Sequence, residues 1–212
     1  MKASTKRFTL QGPVGEIELA VDEPHGLLRG VAVISHPHPL FGGTMDNKVV
    51  QTLARAFVQC GWRAVRFNFR GVGASAGVHD NGQGELQDLL AVVQDQAPEG
   101  ALALAGFSFG AFVTSHGIEQ LRQQRQLDKL VLVGTATTRF AVAPLAPELH
   151  ERTLVVHGEI DDTVPLADVM NWARPQKLPV TVIPGVEHFF HGQLTLLRSL
   201  VARHLMSELP SL

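Results

Sequence analysis

Two G-x-S-x-G motifs, centred on Ser75 and Ser108, could each present a serine hydroxyl as a nucleophile. Such a nucleophile needs a strand that runs straight into a sharp turn and then into a helix. An apolar run at 101–105 precedes Ser108, and a helical pattern at 109–123 follows it. Ser75 is followed instead by the turn-rich segment 78–84, where no helix opens. The context therefore favours Ser108 as the nucleophile and predicts that Ser75 is a loop residue.

A serine hydroxyl is a weak nucleophile at neutral pH, so it needs a base, and the base needs an acid that orients it. On a strand–turn–helix scaffold the acid and then the histidine follow the serine along the chain, each at the end of a strand. After Ser108, one predicted strand runs into a loop with Asp161 and Asp162, and the next runs into a loop with His188 and His191. This order predicts a Ser-His-Asp site with two candidates each for the acid and the base.

The elements that would position these side chains alternate between apolar runs and amphipathic stretches. Runs without polar alternation are typical of strands buried on both faces of a parallel sheet. They lie at 30–34, 63–69, 101–105, 130–133, 153–156 and 180–183. Helical patterns lie at 47–60, 85–96, 109–123, 165–173 and 192–206, and a β-hairpin at 8–10 and 16–21 opens the chain. The pattern predicts a three-layer α/β/α sandwich with a mostly parallel, doubly wound sheet and an N-terminal antiparallel hairpin.

The helical stretch 85–96 carries a candidate apolar face. At helical spacing it presents Leu86, Leu89, Leu90 and Val93 on one side. This spacing is what predicts a helix over the stretch.

Length and composition limit the class of protein. The 212 residues suit one domain, 1–212, and 45% hydrophobic with 18% charged residues is typical of a globular chain. A net charge of −2 without a basic cluster argues against nucleic-acid or anionic-membrane partners. The single cysteine, Cys60, cannot form an internal disulfide. No secretory leader or membrane-length apolar run is evident, so a cytoplasmic location is expected.

Five segments of the chain carry a family resemblance: Ser35–Lys48, Arg66–Gly73, Gly106–Gly110, His157–Pro165 and Val186–Phe190. Through them, and along nearly its whole length, the chain resembles the α/β-hydrolase superfamily. It looks most like small lidless bacterial hydrolases that are related to dienelactone hydrolases and carboxylesterases.

The resemblance implies a role for Ser108 and for each candidate in the two loops that follow it along the chain. Ser108 corresponds to the nucleophile, Asp161 to the acid and His188 to the base. Asp162 is then expected to be a turn or cap residue before the helix that follows, where a carboxylate can accept unpaired amides. His191 is expected to be a cap or solvent-exposed residue at the start of the last helix.

The oxyanion hole is expected to use two backbone amides. The residue after the nucleophile, Phe109, supplies one, and the loop after the first parallel strand supplies the other. In that loop His38 is the first choice and Leu40 the second, because the prolines between and before them have no N–H. The imidazoles of His36 and His38 would then brace the loop or line the pocket.

Two other chemistries fit the sequence poorly. A metal site would have to combine His36, His38, His188 and His191, but a proline separates the first pair and no zinc-binding motif is present. A G-x-G-x-x-A dinucleotide-binding pattern can be forced onto 71–76. It would need a helix N-terminus to bind the pyrophosphate, and the glycines that follow argue against a helix there. The predicted mechanism requires no metal and no cofactor.

Only 20 positions separate Val133 from Thr153, which leaves no room for a cap domain there. The site is therefore expected to be open, with apolar lining or core packing from Phe41, Phe107, Phe109, Phe189 and Phe190. The predicted function is a carboxylesterase that acts on small or accessible esters through an acyl-enzyme, with a small-molecule ester as its partner. A thioesterase, a peptidase and a non-catalytic binding module are the alternatives. An exposed edge strand leaves a homodimer open.

Overall fold

An eight-stranded sheet forms the centre of the protein, whose computed structural model describes residues 5–207. The strands are β1 Lys6–Gly12, β2 Gly15–Asp22, β3 Gly30–Ser35, β4 Trp62–Phe67, β5 Leu102–Phe107, β6 Lys129–Val133, β7 Thr153–Gly158 and β8 Val180–Ile183. Their order across the sheet is β1-β2-β4-β3-β5-β6-β7-β8. The β1–β2 and β2–β4 pairs are antiparallel, and all the other pairs are parallel.

Helices cover both faces of this sheet. They are α1 Lys48–Gln59, α2 Gln83–Gln96, α3 Phe109–Leu121, α4 Leu166–Ala173 and α5 Leu194–Met206. Helices α1 and α5 bury their apolar side chains in one core cluster, and α2, α3 and α4 bury theirs in the cluster on the opposite face. The predicted fold class, including the N-terminal hairpin, is confirmed.

Helix α1 shows how local sequence sets these boundaries. The Asn47 side chain accepts hydrogen bonds from the amides of Val49 and Val50, which lack partners within the helix. At the other end Gly61 adopts a φ of 85°, a left-handed conformation that ends a helix at low cost when the residue is glycine.

Strand β4 ends at Phe67, two residues earlier than the apolar run predicted. The amide of Asn68 donates to Glu18 O at 2.9 Å, and the amide of Phe69 donates to the ring of His36 at 3.0 Å. Because a side chain takes the second of these amides, the chain leaves the sheet although Phe69 is apolar.

The buried face of α2 holds the four predicted apolar side chains, all packed against one core cluster, and two carboxylates as well. Leu86 and Leu90 are only partly buried, whereas Glu85 and Asp88 are fully buried on the inner side. Asp88 forms a two-pronged ion pair with Arg70, with Asp88 Oδ1 at 2.8 Å from Nη2 and Oδ2 at 3.0 Å from Nε. An apolar periodicity cannot reveal carboxylates that are buried because they are paired.

The connection from β6 to β7 contains no cap domain. It runs without regular structure over 134–146 and ends in the 3₁₀ turn Pro147–Arg152. The absence of a lid from this connection, predicted from its length, is confirmed. Across residues 5–207, no helix has both the length and the apolar character needed to cross a membrane.

Candidate active site

Ser108 lies in a sharp turn between β5 and α3. Its backbone adopts φ 56° and ψ −117°, a conformation that non-glycine residues rarely occupy and that costs about 1–3 kcal/mol. Its amide donates to Val133 O on the neighbouring strand at 2.9 Å, which holds the turn in place. The strand–turn–helix context predicted from the sequence is therefore present at this residue.

Two glycines make this tight turn possible. A Cβ atom at Gly110 would lie 2.4 Å from Ser35 O and 2.5 Å from His36 O. A Cβ atom at Gly106 would lie 2.4 Å from Gly110 O. Only hydrogen fits at both places, so the start of α3 can lie directly against the end of β3.

Ser75, the serine of the other motif, is a structural loop residue, as predicted. Its hydroxyl donates to Asn68 O at 2.7 Å and accepts the Glu18 amide at 2.9 Å. The first contact closes the loop after β4 on itself, and the second ties this loop to the hairpin strand β2. No base contacts this hydroxyl among the residues that the structure describes.

His188 follows β8 and reaches the nucleophile candidate. Its Nε2 lies 3.0 Å from Ser108 Oγ, and its Nδ1 lies 2.6 Å from Asp161 Oδ2. A carboxylate can only accept, so Nδ1 carries the proton and the Nε2 lone pair faces the serine hydroxyl. The ring is 2% exposed and packs on Phe107 at a centroid distance of 4.9 Å.

Asp161 follows β7 and uses both oxygens. Oδ1 accepts the amides of Thr163 at 3.0 Å and Val164 at 2.7 Å, and Oδ2 accepts from His188. Burial raises the pKa of this carboxyl, but the hydrogen bond and charge of His188 and the hydrogen bond from the Val164 amide lower the pKa by more. The net pKa therefore lies below its usual range. Asp161 therefore stays ionised at neutral pH.

A second histidine approaches the same carboxylate oxygen as His188. His157 Nε2 donates to Val164 O at 2.8 Å and lies 3.5 Å from Asp161 Oδ2. Burial lowers the pKa of His157, which keeps its ring neutral. The sequence motif around His157 was noted only for its resemblance, and this contact was not predicted.

The neighbouring candidates have other roles. Asp162 is exposed and contacts only the Thr163 hydroxyl, at 3.3 Å, among the described residues. Asp162 lies in the bend before α4, which agrees with the expected turn residue, but the alternative role as a cap is wrong, because Asp161 Oδ1 accepts the amides that such a cap would satisfy. His191 is solvent-exposed, as predicted, and pairs with Glu187 at 3.0 Å.

The loop after β3 lies beside the serine. His36 is fully buried, and its ring accepts the Phe69 amide and contacts Pro37 O, so it braces the loop. His38 Nδ1 accepts the Leu40 amide at 3.2 Å, which removes Leu40 as a free donor. The amide of His38 has no acceptor among residues 5–207. The amide of Phe109, first in α3, has none within its helix.

A cavity of about 290 Å³ opens over these groups, with Ser108, His188, His38 and Phe41 in its wall. A smaller cavity of about 50 Å³ adjoins it and is walled mainly by apolar side chains that include Phe109. The phenylalanines divide between the two expected environments. Phe41, Phe109 and Phe189 line the cavities, and Phe107 and Phe190 are core residues.

Sequence reasoning missed several side chains at this site. Arg139, from the loop after β6, lines both cavities. The ring of His79 lies 4.7 Å from that of His38, and its Nδ1 lies 2.7 Å from the buried Glu85 Oε1. None of these residues belongs to a motif, so only the folded chain reveals them. Within the part of the chain that the structure describes, no cluster of three metal-binding side chains occurs.

An elbow serine on the central strand of a mostly parallel sheet without a lid defines a serine hydrolase with the α/β-hydrolase fold. Residues 31–156, more than half of the chain, match the model of the family "Serine aminopeptidase, S33". The chain belongs to this family of α/β hydrolases. The matched span includes Ser108 and ends before Asp161 and His188.

Individual relatives agree with this assignment. An uncharacterised protein of Rickettsia prowazekii is 30% identical over 193 residues, which cover 84% of this chain and 79% of the relative. The crystal structure of an α/β serine hydrolase without lid from Xanthomonas campestris has a TM-score of 0.87 at 35% identity and covers 100% of this chain and 98% of its own. The structure of an alpha-beta serine hydrolase homologue from Coxiella burnetii has a TM-score of 0.81 at 38% identity and covers 94% of this chain and 97% of its own.

Proposed function

We propose that the protein is a carboxylesterase that cleaves small or accessible esters through an acyl-enzyme. The observation that carries this proposal is the continuous chain of contacts from Ser108 through His188 to Asp161 at the floor of an open cavity. This arrangement is what a serine needs in order to lose its proton as it attacks a carbonyl carbon.

In the proposed reaction, His188 Nε2 accepts the Ser108 proton while Oγ bonds to the ester carbonyl carbon. The resulting imidazolium is stabilised by the ionised Asp161. The pKa of Asp161 lies below its usual range because the contacts of His188 outweigh the effect of burial. The tetrahedral intermediate then expels the alcohol, which receives the proton from His188. Water then attacks the acyl-enzyme while His188 accepts a proton from it. His188 returns this proton to Ser108 Oγ as the acid is released.

The oxyanion would be held by two amides, those of Phe109 and His38. The Phe109 amide starts helix α3, whose N-terminus carries a partial positive charge. For the second donor, the hydrogen bond from Leu40 N to His38 Nδ1 favours His38, because it occupies the competing amide. Removal of one such donor typically costs about 10²–10³ in kcat.

The cavities support a preference for small acyl groups. The apolar cavity beside Ser108 measures about 50 Å³, and the wider one about 290 Å³, with no lid to extend either. A small-molecule ester is therefore the proposed partner. Proton transfer between Ser108 and His188, with Asp161 ionised throughout, would supply the chemistry without a metal or a cofactor.

Peptide hydrolysis is the main competing function, because the matched family carries the name of a serine aminopeptidase. An aminopeptidase needs an anionic group that binds the ammonium of its substrate. Neither cavity is lined by an aspartate or glutamate among the described residues, and both are lined by Arg139. This charge favours an ester over a peptide N-terminus. Thioester hydrolysis would use the same Ser108, His188 and Asp161. A non-catalytic binding module would not need all three side chains in contact.

The test labels the wild-type protein, Ser108→Ala and Ser75→Ala with a fluorophosphonate and follows hydrolysis of p-nitrophenyl acetate and butyrate. Labelling and turnover should disappear in Ser108→Ala, with kcat lower by about 10⁴–10⁶-fold. Both should persist in Ser75→Ala, the matched serine of the other motif, once circular dichroism shows that it folds. Absence of labelling in folded wild-type protein would overturn the proposal, and labelling that survives in Ser108→Ala would reassign the nucleophile.

A further inference from the structure

Arg139 is held at the mouth of the site by its two neighbours in the chain. The ring of Phe140 stacks on Phe112 at a centroid distance of 4.7 Å and an angle of 20°. The hydroxyl of Thr138 donates to Asp168 Oδ2 at 2.7 Å. With both neighbours tied to the body of the protein, the exposed Arg139 side chain lines the same two cavities as Ser108.

The guanidinium of Arg139 lies over the face of Phe41, 5.7 Å from the ring centroid. Such a contact orients a cation without neutralising its charge. Within residues 5–207 Arg139 forms no ion pair. Asp168 accepts a hydrogen bond from Thr138 and Asp162 accepts one from Thr163, and neither carboxylate is bonded to Arg139 among these residues. The positive charge of Arg139 therefore faces the cavity with no ion-pair partner in the described part of the chain.

The rest of the cavity wall, as far as the structure describes it, adds no negative charge beside Arg139. No carboxylate lines either cavity in the described part of the chain. Burial lowers the pKa of His38, and the charges of His79 and Arg139 lower it further against the opposing charge of Glu85. A neutral His38 whose Nδ1 accepts from Leu40 carries its proton on Nε2, so it is a further donor in the cavity wall.

We propose that Arg139 binds an anionic group of the substrate, so that the preferred ester carries a carboxylate or a phosphate in its acyl or alcohol part. This inference rests on the proposed esterase function and specifies its substrate class. A guanidinium binds either anion through two parallel N–H···O bonds, which a neutral ester cannot form. Arg139 is thereby a specificity residue, separate from the groups that act on the scissile bond.

The kinetic test uses two pairs of esters of matched size. Mono-p-nitrophenyl adipate and p-nitrophenyl hexanoate differ by a charge in the acyl part. The acetate esters of 4-hydroxybenzoate and 4-hydroxybenzamide differ by a charge in the alcohol part. Wild type should prefer the anionic ester in at least one pair, and Arg139→Gln should lower kcat/KM for that ester about tenfold while leaving its neutral partner within about twofold.

Two variants serve as controls for charge and geometry. Arg203→Gln removes the same charge from an exposed position near the end of α5 and should keep the preference. Arg139→Lys keeps the charge but loses the paired bonds, so it should retain only part of the preference. Equal losses for the charged and neutral esters in Arg139→Gln, or a wild-type preference for both neutral esters, would overturn the inference.

A binding measurement separates this inference from the proposed function. Ser108→Ala protein is titrated calorimetrically with the acetate ester of 4-hydroxybenzoate and with that of 4-hydroxybenzamide. Tighter binding of the anion, abolished by adding Arg139→Gln, supports the inference even if no ester is turned over. Equal binding of the two ligands contradicts it even if Ser108 proves to be the nucleophile.

Discussion

Asp161 and Asp162 are chemically identical neighbours, yet the turn after β7 gives them different surroundings. Asp161 is buried, and its two oxygens divide between backbone amides and the ring of His188. Asp162 points away and remains exposed. The backbone amides fix the carboxylate, and the fixed carboxylate in turn fixes the orientation and tautomer of the histidine.

Asp161→Asn should lower kcat by about 10⁴-fold with little change in the fold. The asparagine oxygen can still accept the amides of Thr163 and Val164, but its NH₂ group would face Nδ1 and force the proton onto Nε2. Asp162→Asn, the adjacent control, should keep kcat within about twofold. Steady-state hydrolysis of p-nitrophenyl acetate compares the two, and similar losses in both variants would contradict the assignment.

His36 should make the protein less stable in mild acid. Its buried ring accepts the Phe69 amide, and burial lowers its pKa to about 4. An unfolded histidine has a pKa of about 6.5. Between these values the unfolded chain binds a proton that the folded chain does not. The free energy of unfolding therefore falls as pH drops from 6.5 to 4, by roughly 3 kcal/mol in total, and is unaffected by this group above pH 6.5.

Urea unfolding of His36→Gln at pH 7 and pH 5 measures this contribution. Glutamine can accept the Phe69 amide but does not titrate, so the variant should lose less stability between the two pH values than wild type. His25→Gln makes the same change at an exposed position and should behave like wild type. His204, whose pKa burial also lowers to about 4, contributes equally to all three proteins. Identical pH dependence in His36→Gln and His25→Gln would refute the prediction.

At the scale of the elements, α2 is attached to the sheet by charge as well as by apolar packing. Arg70, on the loop after β4, meets Asp88 on the inner face of the helix, and both are buried. Glu85, one turn earlier, accepts the amides of Gly82 at 2.8 Å and Asp80 at 3.0 Å. The start of α2 is thereby tied to the same segment that Arg70 anchors.

Asp88→Ala should therefore destabilise the protein by about 3–5 kcal/mol, because the buried Arg70 guanidinium would lose its counter-charge. Asp95→Ala removes a carboxylate from the exposed side of the same helix and should change the free energy of unfolding by less than about 0.5 kcal/mol. Chemical denaturation of both variants gives the two values. A loss below about 1 kcal/mol in Asp88→Ala would show that the pair contributes little.

Sequence patterns predicted the strands well because burial on both faces leaves nearly uninterrupted apolar runs, as in β5 and β6. They predicted the order of Ser108, Asp161 and His188 because each follows such a run. They did not reveal that Glu85 and Asp88 are buried beside the apolar face of α2, because a sequence pattern does not show which carboxylates have buried partners. Arg139 was missed for a related reason, since its place depends on how Phe140 packs against a distant helix.

At the scale of the whole molecule, the connection between β6 and β7 leaves the cavity open to solvent. No domain has to move before an ester reaches Ser108. The rate of tributyrin hydrolysis should therefore follow the dissolved concentration in a simple hyperbola and show no jump when droplets form. A pH-stat assay across the solubility limit measures this, and a sharp rise above the limit would contradict an open site.

The left-handed backbone at Ser108 has a consequence for how this protein could evolve. Glycine adopts φ 56° without the steric cost that serine bears. Ser108→Gly should thus raise the melting temperature while removing the reacting hydroxyl. A library screened for heat resistance alone would enrich this change. The nucleophile would therefore be retained only under a screen that also demands turnover, which makes thermal tolerance and activity opposing traits at this one codon.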